Sequence, residues 1–299
     1  MAKSKTLQKI ESLDPIKDAW EIVQLSVFYE FPWDFNRALE LALYKTFAIP
    51  SIANILHRSQ EFEQHSQKRY DDTDLILSEI IENTLDSKRG NEILERLNWI
   101  HSNYAISNED YLYVLSTFIY DSAAWINKYG YRKLCRNEEL AGFNVWKEIG
   151  KKMHITGIPD TIESFREFHD EYEKKHFRFT EANIKVARAT ENLMLSWYIP
   201  KFMFSAARPF LHAVMEPPLL KAFQYKDPGR SLRWLVTNVL RFRSRAASLF
   251  PRSTPYIRTK MFKHKAYPNG YKMEDLGPDK LINSPKCPFH KVSGSFQKA

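Results

Sequence analysis

Apolar residues recur along most of the chain at intervals of three and four, the period of a helix with one buried face. In residues 35–48, Leu39, Leu43 and Phe47 fall one turn apart. Pro50 ends that run, because a proline ring obstructs the preceding helical turn. The same reading predicts a second helix over 51–68 and a third over 69–84, where Thr73, Ile76, Ile80 and Thr84 share a face. Asn91 or Glu92 is expected to open a helix over 91–104. Ser107, followed by Asn108, Glu109 and Asp110, reads as the N-cap of 108–128, since a serine oxygen accepts from an otherwise orphaned amide. Further helices are expected over 137–154, 162–175, 180–195, 200–215, 217–224 and 229–249. The one at 162 follows Asp160-Thr-Ile-Glu163, a start resembling a capping box.

From Pro251 the periodicity fails. Prolines at 251, 255, 268, 278, 285 and 288, with Gly270 and Gly277, predict an irregular, extended tail. There is no alternating strand pattern of useful length and no internal repeat. The expected fold is all-α: an N-terminal extension over 1–24, a single helical ligand-binding domain over 25–250, and a Pro-rich basic tail over 251–299.

Composition supports a large core. The 299 residues are 43% hydrophobic and 14% aromatic, which excludes wholesale disorder. Nine glycines are too few for a turn-dense all-β chain. Two cysteines, Cys135 and Cys287, exclude a disulfide framework and a four-cysteine zinc site.

Charge is divided unevenly. The net charge is +8, yet residues 200–299 carry 19 Lys and Arg against 5 Asp and Glu, while the first 199 carry 25 against 31. The C-terminal third is therefore expected to face an anionic surface, phospholipid headgroups or nucleic acid, or to be a solvated basic face. No recognised nucleic-acid motif is present, which disfavours that partner. No segment reaches the roughly 18–20 consecutive apolar residues of a spanning helix. The first twenty residues contain no apolar leader core, so a cytoplasmic or peripherally membrane-associated protein is expected, with no signal peptide.

Nucleotide, zinc-protease and serine-hydrolase signatures are absent. Two features remain. Of nine histidines, His101 stands out, in the helical segment Arg96-Leu-Asn-Trp-Ile-His101 with aromatics about one turn apart. It reads either as a satisfied core histidine or as an axial ligand, a buried neutral imidazole offering one nitrogen to iron while the other donates to an acceptor. Arg69 and Thr73 are four residues apart and share a helix face. A guanidinium beside a hydroxyl suits the carboxylates of a buried cofactor such as a haem propionate. The other reading is an ordinary surface helix start, with Asp71, Asp72 and Asp74 favoured by the helix dipole.

An ordered series of blocks ties these features together: Tyr29-Glu-Phe-Pro32, Ala38-Leu-Glu-Leu-Ala-Leu-Tyr-Lys-Thr-Phe47, Lys68-Arg-Tyr-Asp-Asp-Thr73, Arg96-Leu-Asn-Trp-Ile-His101, Asp110-Tyr-Leu-Tyr-Val-Leu-Ser116, Phe143-Asn-Val-Trp-Lys-Glu-Ile-Gly-Lys-Lys-Met153 and Tyr172-Glu-Lys-Lys-His176. Over about residues 25–250 the series resembles the family of the fungal endoplasmic-reticulum oxygenase of mycophenolic acid biosynthesis and the bacterial latex-clearing oxygenases. It is nearest to the fungal branch.

The resemblance implies an all-α, haem b-binding fold and O2-dependent cleavage of C=C bonds in an isoprenoid or other lipophilic substrate. It makes His101 the expected proximal iron ligand. It places Arg69 on the propionate side and Thr73 in the same pocket. Asp72 stands where rubber-cleaving members carry a lysine, so a lysine-ligated closed state is not expected. Their catalytic glutamate would fall near Ala53, and the nearest acids, Glu61 and Glu63, do not match that spacing; these two, with His57 and His65, are candidate distal-pocket groups, and no catalytic residue is assigned. On this reading Arg230, Arg233, Arg241, Arg243 and Arg245, with Trp234 and Phe242, would rest on an anionic membrane or pair with the acidic part of the chain. The alternative is a non-catalytic haem- or lipid-binding helical protein.

Overall fold

Capping side chains set several of the helix boundaries. Ser107 Oγ accepts from the Asp110 amide at 3.0 Å and opens the helix Asn108–Tyr129, and Thr161 does the same for Ile162–His176 through Ser164 at 3.1 Å. The computed structural model describes residues 3–288. In chain order its helices are α1 (Lys5–Ser12), α2 (Ala19–Leu25), α3 (Pro32–Thr46), α4 (Pro50–Ser59), α5 (Glu61–Gln64), α6 (Ser66–Asn83), α7 (Lys88–Ser102) and α8 (Asn108–Tyr129). They continue with α9 (Arg136–Lys152), α10 (Ile162–His176), α11 (Glu181–Ser196), α12 (Phe204–His212), α13 (Pro217–Ala222), α14 (Arg230–Ser248), α15 (Arg258–Met261) and α16 (Asp279–Ile282). A π-helical turn, Ser26–Glu30, joins α2 to α3, and no strand occurs among the described residues. The fold is all-α.

Three boundaries differ from the sequence expectation. The helix expected over 51–68 is broken at Gln60, which takes the left-handed conformation (φ 62°, ψ 3°). Its side-chain amide donates to His57 O at 2.6 Å, capping α4. The break turns Phe62 onto Phe47, their ring centroids 5.2 Å apart. Helix α6 then starts at Ser66, so Arg69 and Thr73 lie inside it. Helix α7 begins at Lys88, one turn before the expected start, capped by Ser87 through the Gly90 amide at 2.9 Å.

Helices α2, α6, α7, α8 and α9 surround the main core, built from residues such as Ile22, Leu75, Ile80, Ile93, Leu115, Phe143 and Ile149. Residues 1–24 contribute to it through Ile10, Ala19, Ile22 and Val23. No single described helix is long and apolar enough to cross a membrane. The pair α3–α4 reaches comparable length and composition, but it is bent by 98°. It also buries Ala38, Ala42, Tyr44 and Ala53 within the protein.

Residues 251–288 are largely irregular, yet they are fastened to α6. Carboxylates along α6 hold them. Asp71 accepts from the Ala266 amide at 2.7 Å, and Asp72 accepts from the Tyr267 hydroxyl. Asp74 pairs with Arg258 at 2.6 Å and His264 at 2.7 Å. Glu79 accepts from Tyr271, and Glu82 from the Thr259 hydroxyl. Asp71 and Asp72 are buried, which removes the surface-helix reading of this segment.

Candidate functional site

Arg69, Thr73 and His101 line one cavity, of about 280 Å3, walled by residues of α3 to α9 and α11 and by Gly277 and Pro278 of the tail. Its surface is mostly apolar, with Ile76, Leu97, Ile100, Leu115, Phe118 and Trp146 among the walls. That combination of apolar walls and a few convergent polar groups is the ordinary character of a small-molecule site.

Arg69 extends from the second turn of α6. Its guanidinium donates to Thr73 Oγ1, and the Thr73 hydroxyl donates to Arg69 O at 2.9 Å, so the pair locks itself. The guanidinium lies 5.2 Å from the centre of the Phe62 ring, which the break at Gln60 has brought there. Its pKa is pushed down by burial, although Asp72, Tyr104 and Glu61 oppose the shift. Both Arg69 and His101 retain partial accessibility, yet both are desolvated, because the accessible surface faces the cavity rather than bulk water. Among the described residues no carboxylate comes within ion-pair distance of Arg69. A desolvated cation without a counter-charge is costly unless a ligand supplies one.

His101 lies in the last turn of α7, its ring 5.7 Å from that of Tyr111. Burial, and then the Arg69 guanidinium, push its pKa down to about 4, so the imidazole is neutral at ordinary pH. Its Nδ1 is buried without a hydrogen-bond partner. The acceptor expected behind the ring is therefore not found among the described residues. A neutral imidazole on a cavity wall, its Nδ1 without a partner among the described residues, fits iron ligation by residue type. An unpaired guanidinium in the same cavity fits an anionic rim. The donor set thus suits haem b.

Asp72 is held away from such chemistry. Burial raises its pKa, while Lys68 at 3.0 Å and Tyr267 stabilise the carboxylate. Lys68 in turn donates to Gly277 O at 2.5 Å. Glu61, one of the candidate distal-pocket groups, is buried and lines the cavity. It is the one cavity-lining carboxylate, among the described residues, with no hydrogen-bond or ion-pair partner. Its signal was hidden by the helix break one residue before it. Glu63 instead pairs with His57 at 2.6 Å, and His65 forms the N-cap of α6.

Sequence reasoning also missed a buried cluster outside the cavity lining. Asp121, His169 and Glu173 offer ligand atoms within 4.8 Å of one another. Lys45 Nζ, however, lies 2.6 Å from both carboxylates and fills the place of a cation, while Ser116 Oγ meets His169 Nδ1 at 2.8 Å. The cluster is a structural ion network. A lysine inside the apolar run Ala42–Phe47 was its only trace in the sequence. His290 lies outside the described residues.

No family model matches the chain. Among curated proteins it is similar to the ER-bound oxygenase mpaB of Penicillium roqueforti strain FM164, 28% identical over 229 residues, covering 71% of this chain and 76% of that protein. The ER-bound oxygenase mpaB' of Penicillium brevicompactum is 25% identical over 345 aligned positions, covering 87% and 81%. The mpaB protein of the same species is 30% identical over 230 residues, covering 70% of this chain and 58% of that protein.

Proposed function

The chain is a homologue of these fungal ER-bound oxygenases, and from that premise we propose that it is a haem b-dependent oxygenase that cleaves a C=C bond of an isoprenoid or other lipophilic substrate. The observation that carries the reading is the convergence of His101 and the Arg69–Thr73 pair on one apolar cavity.

His101 would hold the iron, kept neutral by burial. Arg69 would meet a propionate carboxylate, oriented by Thr73 so that its fork is set before the ligand arrives. When bound, the haem supplies dioxygen binding and activation, which no side chain of this chain provides. The apolar walls exclude water and select an uncharged hydrocarbon ligand. Glu61 is the cavity group free to hold or release a proton at its Oε atoms. The net reaction adds both atoms of one O2 across the double bond and yields two carbonyl fragments, with no other reductant. The basic C-terminal third would keep the enzyme beside an anionic membrane, where lipophilic substrates reside.

The test is oxygen uptake by haem-loaded protein with prenylated compounds. Consumption of one O2 per pair of carbonyl products supports the proposal. No uptake across a series of chain lengths contradicts it.

A further inference from the structure

Helix α14 carries an unusual outer face. Leu235, Val239 and Phe242 lie on one side of it and are exposed, Phe242 at 75%. Trp234 is 68% exposed beside them, and Leu249 and Phe250 follow directly after the helix, at 66% and 81%. At 100° per residue, Arg230, Arg241 and Arg245 form an edge next to this apolar sector, on Trp234's side. Soluble proteins seldom leave so many large apolar side chains exposed together.

The five arginines named from the sequence divide into two sets. Arg243 donates to Asp34 at 2.6 Å and stacks on Trp33, 3.8 Å from the ring centre. Arg233 donates to Met215 O at 2.7 Å and pairs with Asp227. These two anchor the inner face of α14 to the protein. Arg230, Arg241 and Arg245 are exposed, and none is paired with a carboxylate among the described residues; Arg241 donates to Lys128 O at 2.8 Å. No Asp or Glu occurs anywhere between Asp227 and Glu274. The outer face is thus apolar, edged with cations and free of acids.

We propose that the outer face of α14 is a docking surface for an anionic phospholipid bilayer, with the helix lying in the interface rather than across it. The charge pattern selects this occupant. Leu235, Val239, Phe242 and Phe250 enter the acyl boundary, Trp234 sits at headgroup depth, and Arg230, Arg241 and Arg245 meet lipid phosphates.

A second feature links the surface to the cavity. Tyr198, Phe202 and Met203, between α11 and α12, are also exposed. They flank a groove lined by Ile184, Leu193, Ile199 and Phe204. That groove shares Ser66 and Leu193 with the cavity, and on this proposal it is the side from which an apolar ligand enters. This deepens the proposed function by naming where substrate is collected, but docking itself does not depend on haem.

The experiment is vesicle co-flotation of the full chain with phosphatidylcholine vesicles, with and without phosphatidylserine. The expected result is flotation with the anionic vesicles, weakened by salt. Each charge-removing change at Arg230 or Arg245 should weaken it about fivefold, from roughly 1 kcal/mol per arginine near the surface. Leu235→Ser with Phe242→Ser should abolish it while circular dichroism is unchanged, since both side chains point outward. Trp234→Phe should still float but lose the vesicle-induced blue shift of tryptophan emission. Failure to float with either vesicle, or flotation undiminished in the double variant, overturns the proposal. So does a dimer in solution that the double variant dissolves, or salt-sensitive nucleic-acid binding without flotation. Because flotation is read regardless of haem loading, its failure leaves the oxygenase reading standing, and loss of the Soret band leaves docking standing.

Discussion

The guanidinium of Arg96, fully buried in α7, donates to the carbonyls of Leu276 at 2.8 Å and Glu274 at 2.7 Å. It thereby clamps the tail against the helix that carries His101, with 180 residues of chain between Arg96 and Leu276. Replacing Arg96 with Ala removes two charge-assisted hydrogen bonds and leaves two carbonyls without donors. The expected cost is about 3–5 kcal/mol. Thermal unfolding should shift down accordingly, and limited proteolysis should cut between α14 and α16 before the core opens. An unchanged melting temperature would show that the clamp is not structural.

Gly277 is the point at which the tail meets the cavity. Its φ of 119° disfavours any side chain, and a Cβ there would lie 2.9 Å from Ile100 Cδ1. Gly277→Ala should destabilise the protein by about 1–3 kcal/mol. It should also weaken ligand retention, because Gly277 and Ile100 are both cavity walls. Equilibrium denaturation and ligand release rates check the two effects separately.

The Lys45 network predicts a particular acid response. Burial alone would raise the Glu173 pKa, but the His169 hydrogen bond and Lys45 outweigh it and hold the carboxyl at about 2. A carboxyl depressed in the folded state stabilises the protein above its unfolded value, and that stabilisation is lost as pH falls from there towards about 2. Lys45→Met removes one partner of a buried set and should cost about 3–5 kcal/mol at neutral pH. The acid limb of its stability profile should also become shallower. Urea unfolding across pH checks both effects.

His101 responds to protons with the same sign as Glu173, but in a higher pH window. Its folded pKa of about 4 lies below the ordinary value of 6.5, so the unfolded chain binds a proton that the folded one refuses. Stability contributed by the neutral ring is complete above 6.5 and falls as pH drops towards 4, by up to about 3 kcal/mol. His101→Phe should flatten the stability profile in that window. An identical slope in wild type and variant would contradict burial as the cause.

Glu61→Gln keeps the shape of the cavity wall and removes its unpaired charge. Haem loading should be unchanged, while oxygen uptake falls by about a factor of a hundred if the carboxylate handles a proton. Equal turnover would remove Glu61 from the chemistry.

The long helices were legible because Ser107 and the Asp160–Glu163 segment announce their starts, although Thr161 rather than Asp160 is the cap in the structure, and the apolar period is unbroken. The pairing of Arg69 with Thr73 was legible from an i, i+4 spacing on one helix. Its union with His101 in one cavity was implied only by the resemblance and not by any spacing, since α6 and α7 meet only by packing. The attachment of the tail was not legible. Arg96 binds backbone carbonyls, which any sequence offers, and Asp71, Asp72 and Asp74 look the same in sequence whether they meet water or the tail. The break at Gln60 was hidden as well, because a glutamine with positive φ has no compositional mark.

The central claim is that His101 holds the iron of a haem in the cavity it shares with Arg69. The most direct measurement is the absorption spectrum of protein from haem-supplemented expression, with His101→Ala and Arg69→Leu alongside. The account predicts a Soret band in the wild type, its loss in His101→Ala and weakened haem retention in Arg69→Leu. No band in the wild type, or an unaltered band in His101→Ala, would contradict it.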